Sequence, residues 1–265
     1  MKVKTIIAFL LVLIFHTSYA QMDDKFYQPK KEFKPIDLKY ENFSIPVEKD
    51  TITGIFLKPA SAKPKATILF FHGAGGNVST YVFMIKHLVE AGFQVAMVDF
   101  RGYGKSTGTP THSNVAEDGQ TFFDLMTRRN DIKDTKVLIY GASLGSQVSA
   151  HLAKNNKNKI AGLVIDGGMS SFADIAAVFA PQFKDALTKM LSSAYSAKED
   201  IKATQGLPKL FIYSKNDKTV PFSQGEEIYK NAPEPKHFLE FTADHLSAVT
   251  EKPKDVVKAV ESLIQ

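Results

Sequence analysis

The sequence predicts an α/β fold with a mostly parallel central sheet, helices on both faces and a small helical lid insertion. Short apolar runs without polar alternation recur along the chain, as expected of strands that are buried on both faces. Segments with apolar residues at helical spacing lie between most of these runs. Because strand and helix alternate regularly, the strands are expected to pair in parallel. A length of 265 residues fits one such domain.

The first 20 residues have the pattern of a secretory signal peptide. Lys2 and Lys4 give a basic start, Ile6–Phe15 is an apolar run, and small residues follow at Ser18 and Ala20. The apolar run is short for a membrane-spanning helix. We therefore expect cleavage after Ala20, a secreted or periplasmic location, and no stable membrane insertion of the mature chain. An uncleaved anchor is the alternative.

The rest of the chain divides into a lead-in and one domain. Residues 21–38 are polar and include two prolines, which predicts an extended lead-in to a domain over residues 39–265. Alternating segments predict a hairpin of Tyr40–Val47 and Thr51–Leu57. The predicted buried strands are Ala66–Phe71, Gln94–Phe100, Lys136–Tyr140, Ile160–Ile165, Lys209–Tyr213 and His237–Phe241. The predicted helices are Thr80–Ala91, Val115–Arg128, Leu144–Asn155, Ser223–Asn231 and Pro253–Ile264.

One interval, residues 167–206, breaks this alternation. It carries apolar residues at helical spacing, such as Phe172, Ile175 and Phe179, and it has no strand-like run. Because it lies between two predicted core strands, we expect a helical lid over the C-terminal edge of the sheet. Open α/β sheets bind their ligands at that edge.

The composition excludes several classes of function. The chain has no cysteine, which rules out disulfides, thiolate metal sites and a cysteine nucleophile. No pattern of metal ligands stands out in the sequence. The formal charge is +5, but the lysines are interleaved with acidic residues rather than gathered in blocks, which argues against a nucleic-acid partner. We expect a small-molecule partner, and the oligomeric state stays open.

The strongest local motif is Gly141-Ala142-Ser143-Leu144-Gly145, directly after a predicted strand and before a predicted helix. This is the G-x-S-x-G pattern of a sharp strand-to-helix turn that exposes a serine hydroxyl at the top of the sheet. It predicts Ser143 as a nucleophile, with a merely structural tight turn as the alternative. A hydroxyl needs a base to accept its proton. His245 follows the last core strand, so we expect it to face the same crevice as Ser143.

A carboxylate at another strand end would orient that histidine. Asp217 follows the strand Lys209–Tyr213, and the order Ser143, Asp217, His245 is the one expected on such a sheet. Asp166, at the end of the preceding strand, is the rival. Asp244 is less suited because it is adjacent to the histidine in sequence and faces another direction.

An acyl-transfer site also needs donors for an oxyanion. The glycine-rich stretch Phe71–Asn77 follows the first buried strand. We expect it to present the N–H of Ala74 beside the N–H of Leu144, which opens the helix after Ser143. Phosphate binding is the alternative use of such a loop, but the P-loop lysine pattern and a full G-x-G-x-x-G are missing.

These motifs resemble the α/β-hydrolase superfamily over the chain from about Tyr40 to the C-terminus. The segment Asp99-Phe100-Arg101-Gly102-Tyr103-Gly104-Lys105-Ser106-Thr107-Gly108 looks like the D-x-R-G-x-G-x-S-x-G segment of that superfamily. The loop after Phe71 and the Asn216-Asp217-x-x-Val220-Pro221 segment are similar to small-lidded Bem46-like and serine aminopeptidase-like hydrolases. One departure is Ser214, which stands where many relatives have the glycine of His-Gly-x-x-Asp.

The resemblance implies a serine hydrolase that uses Ser143, His245 and Asp217 and needs no cofactor. The leading expectation is an esterase or thioesterase for short or medium acyl groups. Met169 and Phe172 of the insertion could line an acyl pocket, although packing of the lid onto the core explains them equally well. A serine peptidase is the second expectation, and a binding protein without turnover is the third.

Overall fold

A computed structural model describes residues 23–191 and 195–265. Eight strands form the central sheet, and the α/β fold predicted from the sequence is confirmed. They are β1 (Tyr40–Val47), β2 (Asp50–Leu57), β3 (Thr67–Phe71), β4 (Gln94–Asp99), β5 (Val137–Ala142), β6 (Gly162–Asp166), β7 (Lys209–Ser214) and β8 (Lys236–Phe241). The predicted signal peptide, residues 1–20, lies outside the described residues.

The strand order across the sheet is β8-β7-β6-β5-β3-β4-β2-β1. The hairpin of β1 and β2 is antiparallel, as predicted, and β2 also runs antiparallel to β4. All other neighbouring strands are parallel. Because β3 to β8 run in the same direction, their carboxyl ends meet at one edge of the sheet, where the predicted site residues follow them.

Helices cover both faces of the sheet and lie close to the predicted positions. They are α1 (Val78–Glu90), α2 (His112–Thr127), α3 (Gly145–Asn156), α4 (Phe172–Phe179), α5 (Lys184–Met190), α6 (Ala197–Asp200), α7 (Phe222–Asn231), α8 (Ala248–Glu251) and α9 (Pro253–Ser262). Two apolar clusters, one on each face, hold the helices to the sheet. Burial of each phenylalanine in them stabilises the fold by roughly 1.5–3 kcal/mol.

The insertion between β6 and β7 is helical. It contains α4, α5, α6 and two 3-10 turns, Pro181–Phe183 and Ile201–Ala203. Its outer surface exposes several large apolar side chains: Val178, Phe179, Phe183 and Met190. Within residues 23–191 and 195–265, no helix is long and apolar enough to cross a membrane.

Arg101, just after β4, ties the hairpin to α2. Its guanidinium is almost completely buried and binds both carboxylate oxygens of Asp118 at 2.8 Å. It also donates to Glu48 in the β1–β2 turn at 2.9 Å. Burial raises the pKa of Asp118, and the hydrogen bond from Arg101 offsets part of that rise. The Arg101–Asp118 ion pair is therefore buried. Because both charged groups are removed from water, each is stabilised mainly by the other.

Candidate active site

Ser143 occupies a sharp turn between β5 and α3. Its φ is +52°, in the left-handed region that a non-glycine residue seldom adopts. The turn is tight because Gly141 and Gly145 leave no room for side chains. A β-carbon on Gly141 would overlap the Ser149 hydroxyl, and one on Gly145 would overlap the carbonyl of Phe71. The N–H of Ser143 donates to the carbonyl of Asp166 at 2.8 Å, which links the turn to the end of β6.

His245 and Asp217 are in direct contact. The imidazole Nδ1 lies 2.5 Å from Asp217 Oδ2, and the Asp217 side chain is 2% exposed. The other carboxylate oxygen, Oδ1, accepts the N–H groups of Thr219 and Val220, both at 2.8 Å. Because both oxygens of the carboxylate have protein donors, the ring of His245 has a defined orientation. The other ring nitrogen, Nε2, makes no hydrogen bond among the described residues.

The segment Asp166–Gly167 lies between the serine turn and His245. The Asp166 carbonyl binds the N–H of Ser143, and Gly167 packs under the imidazole so closely that a β-carbon there would be 2.9 Å from His245 Cε1. Gly167 has φ +56°, which favours glycine independently of the lack of space. One short segment therefore brings the two predicted residues to the same crevice.

Ser214, the departure from the motif of the superfamily, links the acid loop to the histidine loop. Its hydroxyl accepts the N–H of Asn216 at 3.2 Å and the N–H of Ala243 at 2.9 Å, and it donates to the carbonyl of Ala243. The turn before Asp217 is therefore held by a side chain that glycine could not supply.

Asp166, the rival acid, has a different environment. Its side chain is fully buried at the end of β6, and Oδ2 accepts the Tyr140 hydroxyl at 2.7 Å. Oδ1 has no hydrogen-bond partner among the described residues. Burial raises the pKa of Asp166 to about 7, and the Tyr140 hydrogen bond only partly offsets this. The carboxyl in contact with His245 is that of Asp217.

Ala74 and Leu144 both lie close to Ser143. Leu144 precedes α3, and the loop of Ala74 lies against Ser143, since a β-carbon on Gly73 would lie 3.1 Å from Ser143 Cβ. Among the described residues, neither the N–H of Ala74 nor that of Leu144 donates a hydrogen bond. Two unused donors beside a serine hydroxyl, one of them at a helix N-terminus, suit a developing oxyanion.

His72 forms a hydrogen bond with the loop of Ala74. It is fully buried, and burial lowers its pKa to about 4, so the ring is neutral at physiological pH. The N–H of Phe100 lies 3.3 Å from Nε2, which places the ring proton on Nδ1 for donation to the carbonyl of Gly73 at 2.7 Å. The carbonyl of Gly73 belongs to the same peptide as the N–H of Ala74, so His72 helps to orient that donor.

The two predicted substrate contacts, Met169 and Phe172, lie in the core. Their exposures are 4% and 1%, and the Phe172 ring stacks on His112 with centroids 3.6 Å apart. Their contact with substrate stays a prediction. Sequence reasoning did not identify Tyr103 or the segment around Gln28, both of which contact the loop of Ala74. In the part of the chain that the structure describes, no cluster of His, Asp and Glu could hold a metal ion.

Comparisons with known proteins agree with this fold. A family model described as Hydrolase_4, serine aminopeptidase S33, matches residues 62–200, just over half of the chain. The "Uncharacterized protein YfhR" of Escherichia coli strain K12 is 28% identical over 240 residues, which cover 88% of this chain and 83% of that protein. "Protein bem46" of Schizosaccharomyces pombe is 26% identical over 212 residues, which cover 79% of this chain and 70% of that protein.

Solved structures with the same fold include esterases. The Pyrococcus furiosus esterase Pf2001 superposes with a TM-score of 0.73 at 16% identity, covering 90% of this chain and 97% of its own. An α/β-hydrolase from Vibrio vulnificus has a TM-score of 0.71 at 18% identity, with 94% and 93% of the two chains covered. At these identities the likeness concerns the fold. Together with the family match, it identifies the chain as a hydrolase of the Bem46-like α/β-hydrolase family, the family described as serine aminopeptidase S33.

Proposed function

We propose that this chain is an exported serine hydrolase that cleaves esters or thioesters of short or medium acyl groups through an acyl-enzyme. The observation that carries the proposal is the conformation of Ser143. A non-glycine residue at φ +52° is strained by on the order of 1–3 kcal/mol, and folded chains retain such strain mainly at functional sites. The two unused amides of Ala74 and Leu144 and the Asp217–His245 pair support the same interpretation.

The proposed reaction follows from the hydrogen bond at His245 Nδ1. Because Asp217 accepts from Nδ1, the neutral ring carries its proton there and presents the Nε2 lone pair as a base. Ser143 Oγ attacks the acyl carbon while its proton moves to Nε2. The carbonyl electron pair moves onto oxygen, which accepts the N–H groups of Ala74 and Leu144.

The tetrahedral intermediate then collapses. The carbonyl re-forms, the bond to the leaving group breaks, and the alcohol or thiol leaves with the proton from His245. A water molecule attacks the acyl-Ser143 carbon with His245 again as base, which releases the carboxylic acid and restores the serine hydroxyl. Asp217 keeps its hydrogen bond to Nδ1 throughout and stabilises the imidazolium.

The first test is hydrolysis of p-nitrophenyl esters from acetate to palmitate. We expect turnover by the parent chain and its loss in Ser143→Ala. Ser146→Ala is the matched control, because the Ser146 hydroxyl lies one helical turn further on, is buried and has no hydrogen-bond partner among the described residues. Labelling of Ser143 by a fluorophosphonate, read by peptide mass spectrometry, checks the nucleophile without a substrate.

The outcomes separate the alternatives. Equal esterase activity in the parent and Ser143→Ala would refute the assignment of the nucleophile. An absence of both turnover and labelling would favour a binding protein on this fold. The length of the preferred acyl chain would measure the space under the lid.

A serine peptidase is the second candidate, and the family description as serine aminopeptidase favours it. Both chemistries use the same nucleophile, base and oxyanion donors, and they differ in the leaving group and in what binds the substrate amine. Aminoacyl p-nitroanilides compared with p-nitrophenyl esters decide between them. A higher kcat/KM for the anilides, abolished by Ser143→Ala, would replace the esterase proposal.

The proposal of export rests on the first 20 residues of the sequence. N-terminal sequencing of protein recovered from the periplasm or medium of a bacterial host tests it. A mature chain that begins at Gln21 is expected. A full-length chain retained in the membrane fraction would favour the uncleaved anchor.

A further inference from the structure

The N-terminal strap, residues 23–34, lies across the loop that contains Ala74. The sequence predicted this segment only as an extended lead-in. In the structure Gln28–Pro29 forms a short parallel ladder with Gly75–Gly76, immediately after Ala74. The strap therefore adds a strand-like edge to a loop that has two consecutive glycines. Glycine has the widest backbone freedom of any residue, so such a loop needs outside contacts to hold one shape.

The carbonyl of Ala74 is the centre of these contacts. It accepts the N–H of Gln28 at 2.9 Å and the hydroxyl of Tyr103 at 2.5 Å. The same N–H of Gln28 also lies 2.9 Å from the Tyr103 hydroxyl oxygen, so the three groups form a closed triangle. Two residues later, the N–H of Lys30 donates to the carbonyl of Gly76 at 3.0 Å.

Further hydrogen bonds join the strap to residues outside the loop of Ala74. Asn77, which caps α1, donates from Nδ2 to the carbonyls of Lys30 and Glu32 at 3.0 and 2.7 Å. The Lys30 carbonyl also accepts the N–H of Gly104 at 3.0 Å. Further along, the N–H of Lys34 donates to the Ser79 hydroxyl at 2.8 Å. Strap, loop and helix cap thus form one hydrogen-bonded unit.

The other end of the strap reaches the lid. Tyr27 is 4% exposed, and its hydroxyl lies 3.0 Å from His112 Nδ1. His112 in turn stacks on Phe172, the first residue of α4. Phe26 packs edge-on against the same Phe172 ring, with the ring centroids 5.1 Å apart. The strap therefore contacts both the lid and the loop of Ala74.

We propose that the strap is a positioning element for the oxyanion donor at Ala74, acting through the backbone N–H of Gln28 together with Tyr103. This inference rests on the proposed serine-hydrolase function. His72 fixes the peptide before Ala74 and the Gln28–Tyr103 pair fixes the peptide after it, so the Ala74 N–H is oriented from both sides. An N–H donor stabilises the oxyanion only when it already points to where the negative charge develops. The contacts that orient the donor are therefore expected to affect kcat more than substrate binding.

Gln28→Pro tests the inference because proline lacks the N–H and tolerates extended backbone. The matched variant is Gln28→Ala, which loses the same side chain and keeps the N–H. Loss of an oxyanion donor lowers kcat by about 10²–10³-fold, and a displaced donor loses part of that. We therefore expect kcat of Gln28→Pro to be about tenfold or more below that of Gln28→Ala, with a smaller change in KM. The inhibition constant of a trifluoromethyl ketone, whose adduct with serine carries an oxyanion, is expected to rise in parallel.

Tyr103→Phe provides the second measurement, since it removes the other donor to the Ala74 carbonyl and conserves the buried ring. The same pattern of lower kcat and weaker ketone binding is expected. Thermal melting by circular dichroism checks that each variant is folded, and Tyr103→Phe decides the matter if Gln28→Pro does not fold.

The possible results have distinct meanings. If the variants are folded and Gln28→Pro equals Gln28→Ala in kcat and ketone inhibition, the role of the strap is refuted while the hydrolase proposal stands. If Tyr103→Phe alone can be measured, parental kcat and ketone inhibition in it refute that role equally. If the parent itself shows no turnover that depends on Ser143, the proposed function has failed, and the inference fails with it.

Discussion

Substitution of Asp166 by asparagine isolates the energetic effect of one buried carboxyl. The side chain is fully buried, its only hydrogen bond among the described residues is with Tyr140, and burial raises its pKa to about 7. Asparagine has nearly the same shape and cannot ionise. Because Tyr140 can either donate to the amide oxygen or accept from the amide nitrogen, the variant retains a partner.

The sign and size of the effect follow from linkage. The folded chain holds the Asp166 proton more tightly than the unfolded chain, so the parent loses stability as the pH rises from about 4 towards 7. The difference between about 7 and the ordinary value of 3.8 corresponds to on the order of 4 kcal/mol of unfolding free energy. Asp166→Asn removes that loss. Its stability relative to the parent should therefore rise by about 1 kcal/mol per pH unit from pH 4 to pH 7 and then level off.

Urea unfolding of the parent and the variant at several pH values between 4 and 8 measures this difference. Burial also raises the pKa of Asp99 to about 7, but that residue is common to both proteins and cancels in the comparison. Asp134→Asn is the control, because Asp134 is exposed and its carboxylate remains in water. A stability difference between Asp166→Asn and the parent that stays flat across this pH range would refute the reasoning. It would mean that Asp166 is ionised in the fold without penalty.

Two other substitutions test the acid of the active site and the internal ion pair. Asp217→Asn should lower kcat by about 10⁴-fold through loss of the imidazole orientation, whereas Asp166→Asn should not. The reverse ranking in ester hydrolysis would assign the acid to Asp166. Arg101→Ala should lower the free energy of unfolding by about 3–5 kcal/mol, because it leaves Asp118 buried without its ion-pair partner. Lys58→Ala removes two ion pairs at the surface, with Glu41 and Asp131, and should cost only about 1 kcal/mol, and equal losses in the two urea titrations would contradict this.

The sheet could be predicted closely because its strands are buried on both faces. The segment Gln94–Asp99 is buried at every position, and its four interior residues, Val95–Val98, are all apolar, a pattern typical of strands covered on both faces. The ends were less well defined. β5 extends through Ala142, two residues past the predicted end at Tyr140, because Gly141 and Ala142 still pair with β6 before the chain turns at Ser143.

Ser143, Asp217 and His245 could be proposed from sequence because each follows a recognisable strand, and parallel strands deliver their carboxyl ends to one edge. The choice between Asp217 and Asp166 was harder, since both satisfy that rule. What distinguishes them is the direction of the side chain. The Asp166 carboxyl accepts a hydrogen bond from the Tyr140 hydroxyl. The Asp217 carboxyl contacts His245 through Oδ2, while its Oδ1 accepts a backbone N–H of its own turn.

The contacts of Gln28 and Tyr103 with the Ala74 carbonyl could not be predicted from the sequence, for a different reason. Gln28 and Tyr103 are 75 residues apart, and the decisive group of Gln28 is its backbone N–H, which every residue except proline possesses. No residue type at position 28 signals such a contact, and the polar lead-in has the composition of an ordinary linker. The side chains of the candidate site therefore stand in short local motifs, whereas the proposed support of the Ala74 N–H comes from a backbone group distant in sequence. A substitution in the strap that leaves every motif intact is expected to lower the rate, and only the three-dimensional structure identifies which atom is responsible.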